Sequence, residues 1–270
     1  MDHSTVHVPF EDVKSVLTSI LESRGFDSDR AGKLAGIFAE NSLSGKDSHG
    51  INRFLPFLES LKSGVIKPDA VPRKVKSFHA IEQWDGNLGP GPLNALVCTD
   101  RAIELAQENG IGCVALRNTN HWMCGGTYGW RAAEAGFPFI CWSNTKPNMP
   151  AWGSSESRLG NNPLIIAIPK DKGPVVLDMA MSQYAYGTLE VKSREKEKLS
   201  HDGGFDSDGN LTRNPDKIIE SQRPLPVGLW KGSGLALVLA VIDAFVRGAI
   251  DQGYRRGRIR IWLVTSVHCL

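Results

Sequence analysis

His49 and Arg53 are the residues of this chain whose types and spacing suit carbonyl chemistry. They lie in the run Asp47-Ser48-His49-Gly50-Ile51-Asn52-Arg53. An imidazole can hand a proton to a carbonyl oxygen, and a guanidinium can grip a carboxylate through two parallel hydrogen bonds. If the stretch is helical, a spacing of four puts both side chains on one face. Gly50 between them lets a ligand approach the backbone closely. The competing reading is that His49 closes a helix and Arg53 is a solvated surface residue.

Three further places could carry chemistry. The loop Arg117-Asn118-Thr119-Asn120-His121-Trp122-Met123-Cys124-Gly125-Gly126 follows an apolar run that ends at Leu116. Ligands collect at such strand ends in open α/β sheets, although an ordinary turn around a buried aromatic fits as well. Asp178 ends the run Val175-Val176-Leu177. A carboxylate there can orient an imidazole and hold its pKa up; the alternative is an N-cap for a helix starting at Met179. Trp230-Lys231-Gly232-Ser233-Gly234 precedes an apolar helical stretch, and glycines with a lysine at a helix start suit a phosphate. Its spacing is neither the dinucleotide fingerprint nor a P-loop.

These residues need elements to hold them. Phe10, Val13, Leu17, Ile20 and Leu21 recur at helical spacing, and Gly25 supplies a stop. Asp27 or Ser28 can cap a second helix through Phe38, ending near Gly45, and a third runs from Ile51 to Leu61 before Gly64. Beyond Pro72, a helix around Leu93–Ala106 feeds the apolar run Gly112–Leu116. Similar runs follow at Phe137–Trp142, Leu164–Ile168 and Val175–Leu177. The stretch from Lys192 to Pro224 reads as a polar surface excursion, and Leu235–Phe245 as an apolar helix. Alternating helices and short strands predict a mixed α/β or α+β fold. The expected division is a helical domain over 1–75, a mixed-sheet domain over 76–248 and an atypical tail over 249–270. That tail is dense in arginine between Arg255 and Arg260, shows no helical or strand period, and reads as out-of-frame sequence.

Bulk properties set outer limits. With 270 residues, 41% of them hydrophobic, the chain can bury a substantial core, and a net charge of +2 gives no reason to expect nucleic acid. No run is long enough to span a membrane and no signal peptide is evident. The five cysteines are scattered, without metal-ligand spacing, so a reduced, cytoplasmic, metal-free protein is expected.

The run from Ser48 to Arg53 resembles the Ser-His-Gly-x-x-Arg motif of the malate/L-lactate dehydrogenase superfamily, which is unrelated to the Rossmann-type lactate dehydrogenases. Ala80–Asp85, Ala115–Trp130, Ile140–Asn144, Asp202–Phe205 and Leu229–Gly234 are similar to one branch of that family. The resemblance covers roughly residues 8 to 246. It implies a helical N-terminal region on a mixed-sheet, non-Rossmann cofactor domain, working as a homodimer. It implies reduction of a 2-keto acid by NADH, with NADPH the alternative, and 2,3-diketo-L-gulonate going to 3-dehydro-L-gulonate as the foremost reaction. Siblings acting on malate, lactate, ureidoglycolate or cyclic imines share the scaffold.

Carried over by residue, His49 matches the family's proton donor; on the reading of the residues above, Asp178 would orient it and Arg53 would clamp the substrate carboxylate. Pro174, Val175, Val176, Leu177, Asp178, Met179 and Ala180 bind cofactor together with Trp230 and Lys231. Ser48, Asn120 and His121 line the substrate pocket. The family's C-terminal Gly-His-Glu segment has no counterpart here. The rival expectation is therefore a truncated member without turnover.

Overall fold

The three N-terminal helices form because each carries one apolar stripe and a workable end. The computed structural model describes residues 7–246 and 258–265. Helix α1 is Phe10–Glu22, α2 is Ser28–Leu43 and α3 is Phe54–Lys62. Asp27 caps α2 by accepting from the Arg30 amide at 2.9 Å. The stripes meet in one cluster containing Leu21, Leu34, Phe38, Phe54 and Phe57. Phe38 meets Phe54 edge-on, with ring centroids 5.1 Å apart. It has no exposed surface. Phe38→Ala is therefore expected to lower unfolding stability by ~3–5 kcal/mol, read from urea unfolding. A loss under ~1 kcal/mol would mean that the cluster collapses around the cavity.

The rest of the chain builds a mixed sheet between helices. In order come β1 (Arg73–Phe78), β2 (Ile81–Asp85), α4 (Gly91–Asn109), β3 (Ile111–Thr119), α5 (Gly126–Glu134) and β4 (Phe139–Asn144). Then follow β5 (Met149–Pro150), β6 (Ser157–Leu159), β7 (Leu164–Ile168), β8 (Val175–Met179) and α6 (Tyr186–Glu195). The last are β9 (Gly204–Phe205), β10 (Leu211–Thr212), α7 (Pro215–Ser221), α8 (Trp230–Val246) and β11 (Arg258–Thr265). Seven strands form the main sheet in the order β1-β2-β3-β11-β4-β7-β8. Strands β2 and β3 are parallel and the other neighbours antiparallel.

Both faces of this sheet are covered, which is why its strands read as continuous apolar runs. Val114, Leu116, Cys141 and Ile165 pack with α4 and α5 through Ala102, Leu105, Tyr128 and Ala132. Ala115 and Trp142, one residue out of phase, turn to the opposite face, with Ala236 and Leu239 of α8. Strand β8 is an edge, with Val175 and Leu177 exposed.

Three expectations need correction. The polar stretch after Lys192 is more than a surface excursion. It contains α7, capped by Asn214, and a small core of Leu189, Leu199 and Ile218. No helix begins at Met179; the next one starts at Tyr186. The tail does contain a strand. Arg258–Thr265 lies between β3 and β4, antiparallel to both. Arginine density hides the alternation Arg258-Ile259-Arg260-Ile261, and the Trp262-Leu263-Val264 run is rich in strand formers. The remainder of the expected out-of-frame tail, 249–257 and 266–270, lies outside the described residues.

Candidate active site

His49 sits at the end of a one-turn 3-10 helix, Asp47–His49, and a second, Ile51–Arg53, follows. Gly50 breaks the two apart with φ −97° and ψ −136°, so the stretch is not one helix and the face-sharing argument for Arg53 does not hold. The break has a steric reason. Gly50 is pressed against Ser42 of α2, where any Cβ would collide with the Ser42 backbone. The Ser42 hydroxyl then accepts from the Ile51 amide at 2.9 Å, locking the turn on α2.

The imidazole is partly buried and held on two sides. The Ser48 hydroxyl lies 2.8 Å from His49 Nδ1. With that hydroxyl donating, Nδ1 is occupied and the proton sits on Nε2. The His121 ring stacks on it, centroids 5.6 Å apart and planes 24° from parallel. His121 Nδ1 accepts from the Met123 amide at 3.0 Å, which sets its own tautomer. Burial pushes the His49 pKa below its ordinary 6.5. Arg53 and Lys46 push the same way, while the Asp178 charge opposes them.

Asp178 reaches the site from β8. Its Oδ2 accepts from the Gly126 amide at 2.7 Å and from the Cys124 thiol at 3.3 Å. Burial, with the Asp178 charge next, pushes the Cys124 thiol up to about 11, so it stays protonated and donates. Asp178 is the C-terminal neighbour of an exposed strand position and no helix cap. It acts on His49 through its charge, while the hydrogen bond on Nδ1 comes from Ser48.

Two cavities flank this group. One, of about 1030 Å³, is walled by the long face of α2, by α5, and by Val176, Leu177 and Asp178 of β8. Lys33, Lys46 and Arg131 are among its cations. The smaller, about 360 Å³, is lined by Ser48, Asn52, Arg53, Glu190 and Arg194 among others. Arg53 Nε donates to the Ser48 carbonyl at 3.3 Å, and the guanidinium stands 3.7 Å from the half-exposed Glu190 carboxylate.

The structure brings together Ser48, His49, Arg53, His121 and Asp178. It does not bring Asn120 to a cavity. That side chain is 5% exposed and donates to the carbonyls of Leu88 and Gly89, each at 3.1 Å. It fastens a loop, because buried backbone carbonyls need donors. Within Pro174–Ala180, Val176, Leu177 and Asp178 line the large cavity, whereas Met179 packs with Trp142 on the other side of the sheet. Pro174 and Ala180 flank the strand, and Val175 is exposed at its start. Trp230 and Lys231 are exposed at the start of α8, apart from the residues lining either cavity.

Sequence reasoning passed over Asn41, Thr127 and Glu190. Asn41 is 3% exposed on α2; its amide donates to the His49 carbonyl at 3.0 Å. A buried asparagine inside an apolar helical stripe is the signal that could have found it, since such an amide must have partners.

A partly buried histidine held by a serine, an aspartate charge beside it and an arginine next to a polar cavity, on a non-Rossmann mixed sheet, are groups chemically able to pass a proton and hold an anion. The model of the malate/L-lactate dehydrogenase family matches residues 8–253, and the chain belongs to that family. Within it, the chain is 52% identical over 235 residues to 2,3-diketo-L-gulonate reductase of Escherichia coli, covering 87% of this chain and 70% of that protein. Among solved structures, sulfolactate dehydrogenase from Methanocaldococcus jannaschii superposes with a TM-score of 0.85 at 31% identity, covering 96% of this chain and 77% of that one. Malate dehydrogenase from Entamoeba histolytica does so with a TM-score of 0.90 at 25% identity, over 98% of this chain and 80% of that one. Among the described residues no helix is long and apolar enough to cross a membrane.

Proposed function

We propose that this chain is a nicotinamide-dependent reductase of a 2-keto acid, with 2,3-diketo-L-gulonate as substrate and 3-dehydro-L-gulonate as product. The observation that carries this reading is His49 held by Ser48 beside the Asp178 charge, in a chain 52% identical to a reductase of that substrate. We further propose NADH over NADPH, a cytoplasmic homodimer, and a helical domain over 1–75 on a mixed-sheet domain over 76–248.

The residues present fit a nicotinamide cofactor along β8. The strand is an edge, so its outer backbone amides and carbonyls are open to a carboxamide, and a large cavity with several cations runs beside it. Val176, Leu177 and Asp178 would hold it there. The bound cofactor supplies the hydride that reaches the keto carbon.

The chain's own residues do the rest. Protonated His49, its Nδ1–H then donating to the Ser48 hydroxyl, delivers its Nε2 proton to the carbonyl oxygen as negative charge develops on it. The Asp178 charge favours the protonated ring that must give that proton. Ser48 fixes the ring's orientation through Nδ1. Arg53 grips the substrate carboxylate, turned into position by its bond to the Ser48 carbonyl.

Arg53→Lys is expected to raise KM for the keto acid about tenfold, because an ammonium cannot reproduce a planar two-pronged grip. Titration of NADH binding should stay unchanged. If the substitution weakens NADH binding and leaves KM alone, the carboxylate role belongs to another residue. The reading as a whole is tested by following NADH oxidation on adding 2,3-diketo-L-gulonate, against oxaloacetate and pyruvate as comparison substrates.

A further inference from the structure

Two groups of the proposed reaction, His49 and Asp178, come from elements far apart in sequence, yet both are tied to the first turn of α5. The Gly126 amide, opening that helix, donates to Asp178 at 2.7 Å. The next residue, Thr127, donates from its hydroxyl to Asn41 Oδ1 at 3.3 Å. Asn41 in turn donates from Nδ2 to the His49 carbonyl at 3.0 Å. Its own carbonyl accepts from the Lys46 amide at 2.7 Å, closing the turn that leads into His49.

We propose that Asn41 and Thr127 are positioning residues, and that the chain Thr127–Asn41–His49 carbonyl sets the separation between the His49 imidazole and the Asp178 carboxylate. The inference rests on the proposed reduction by way of His49. Asn41 is suited to the role because its amide is nearly wholly buried and satisfied on both sides. A buried amide with its donor and acceptor both engaged has little freedom to turn. The 3-10 turn carrying His49 has only three residues and little rigidity of its own. The groups whose charges reach the ring are Arg53, Lys46 and Asp178, with the His121 ring stacked against it. Of these Asp178 alone raises its pKa, so a wider gap to Asp178 leaves the cations to push the imidazole further down.

The test uses Thr127→Val, which keeps shape and loses the hydroxyl, Thr127→Ser, which keeps it, and Asn41→Leu, which loses both bonds. Thr127→Val and Asn41→Leu are expected to lower kcat about fivefold or more and to move the His49-dependent limb of the kcat profile to lower pH. Thr127→Ser should restore both readings. Histidine-labelled protein, followed by NMR, should show the His49 titration moving downward in the two bond-breaking variants. That arm needs no turnover, so it decides the positioning claim even if the native chain reduces no keto acid and the functional reading falls. If Asn41→Leu does not fold, Thr127→Val at its half-buried position carries the test. A kcat within about twofold of native and an unmoved His49 titration in Thr127→Val would overturn the proposal and leave the contact a packing feature.

Discussion

His49→Ala is expected to lower turnover by ~10²–10⁴-fold, the usual cost of removing a general acid. The structure sharpens what should survive the change. His49 does not line the large cavity beside β8, so NADH binding by fluorescence titration should be within about twofold of native. The His121 ring loses its stacking partner but keeps its bond to the Met123 amide, so the neighbouring loop retains its anchor. Removal of the proton donor should therefore appear in kcat and not in cofactor affinity. A fall in turnover below about tenfold would take the donor role away from His49.

Asp178→Asn should be the second largest effect, and its sign follows from the electrostatics. Burial holds the His49 pKa below 6.5, Arg53 and Lys46 deepen the depression, and Asp178 is the group that resists it. A general acid works only while protonated, so reduction should weaken as pH rises through a value below 6.5. Neutralising Asp178 removes the opposing charge and moves that limb lower still. For every pH unit the limb moves down, about tenfold less protonated ring remains at a fixed pH above it. The asparagine carboxamide can put its oxygen where Asp178 Oδ2 sits and keep the bonds from the Gly126 amide and the Cys124 thiol. The loss is therefore electrostatic and should shrink at low pH. Measured pH profiles of kcat for both proteins check this. A limb that stays in place or moves up in Asp178→Asn would contradict the assignment.

Much of the scaffold was legible because single-residue spacing governs it. Leu17 and Leu21 on α1 and Leu34 and Phe38 on α2 repeat at helical intervals, and Asp27 is a cap by type alone. His49 and Arg53 stood out by residue type, but the geometry joining them did not, because Gly50 turns the chain where the spacing predicts a helix. Asn120 shows the limit from the other side. Its type suits a ligand, but its polarity is spent on carbonyls more than thirty residues away. Asn41 carried a signal as an amide inside the apolar stripe of α2, but its partner Thr127, 86 residues off, could not be read from spacing. The strand β11 was hidden by composition: arginines drew the eye to charge and away from alternation. Asp178 was legible as the end of a strand, while its bond to the Gly126 amide is a property of the folded sheet.

The proposed reaction moves a hydride from a nicotinamide cofactor to the keto carbon of a sugar acid, with His49 supplying the proton. The decisive measurement incubates the protein with NADH deuterated at both C4 positions and 2,3-diketo-L-gulonate, then analyses the product by mass spectrometry. The expected product is 3-dehydro-L-gulonate carrying one deuterium on the new carbinol carbon, formed by the native protein and lost in His49→Ala. Consumed NADH with no deuterium in the sugar acid, or equal labelling by His49→Ala, would contradict it.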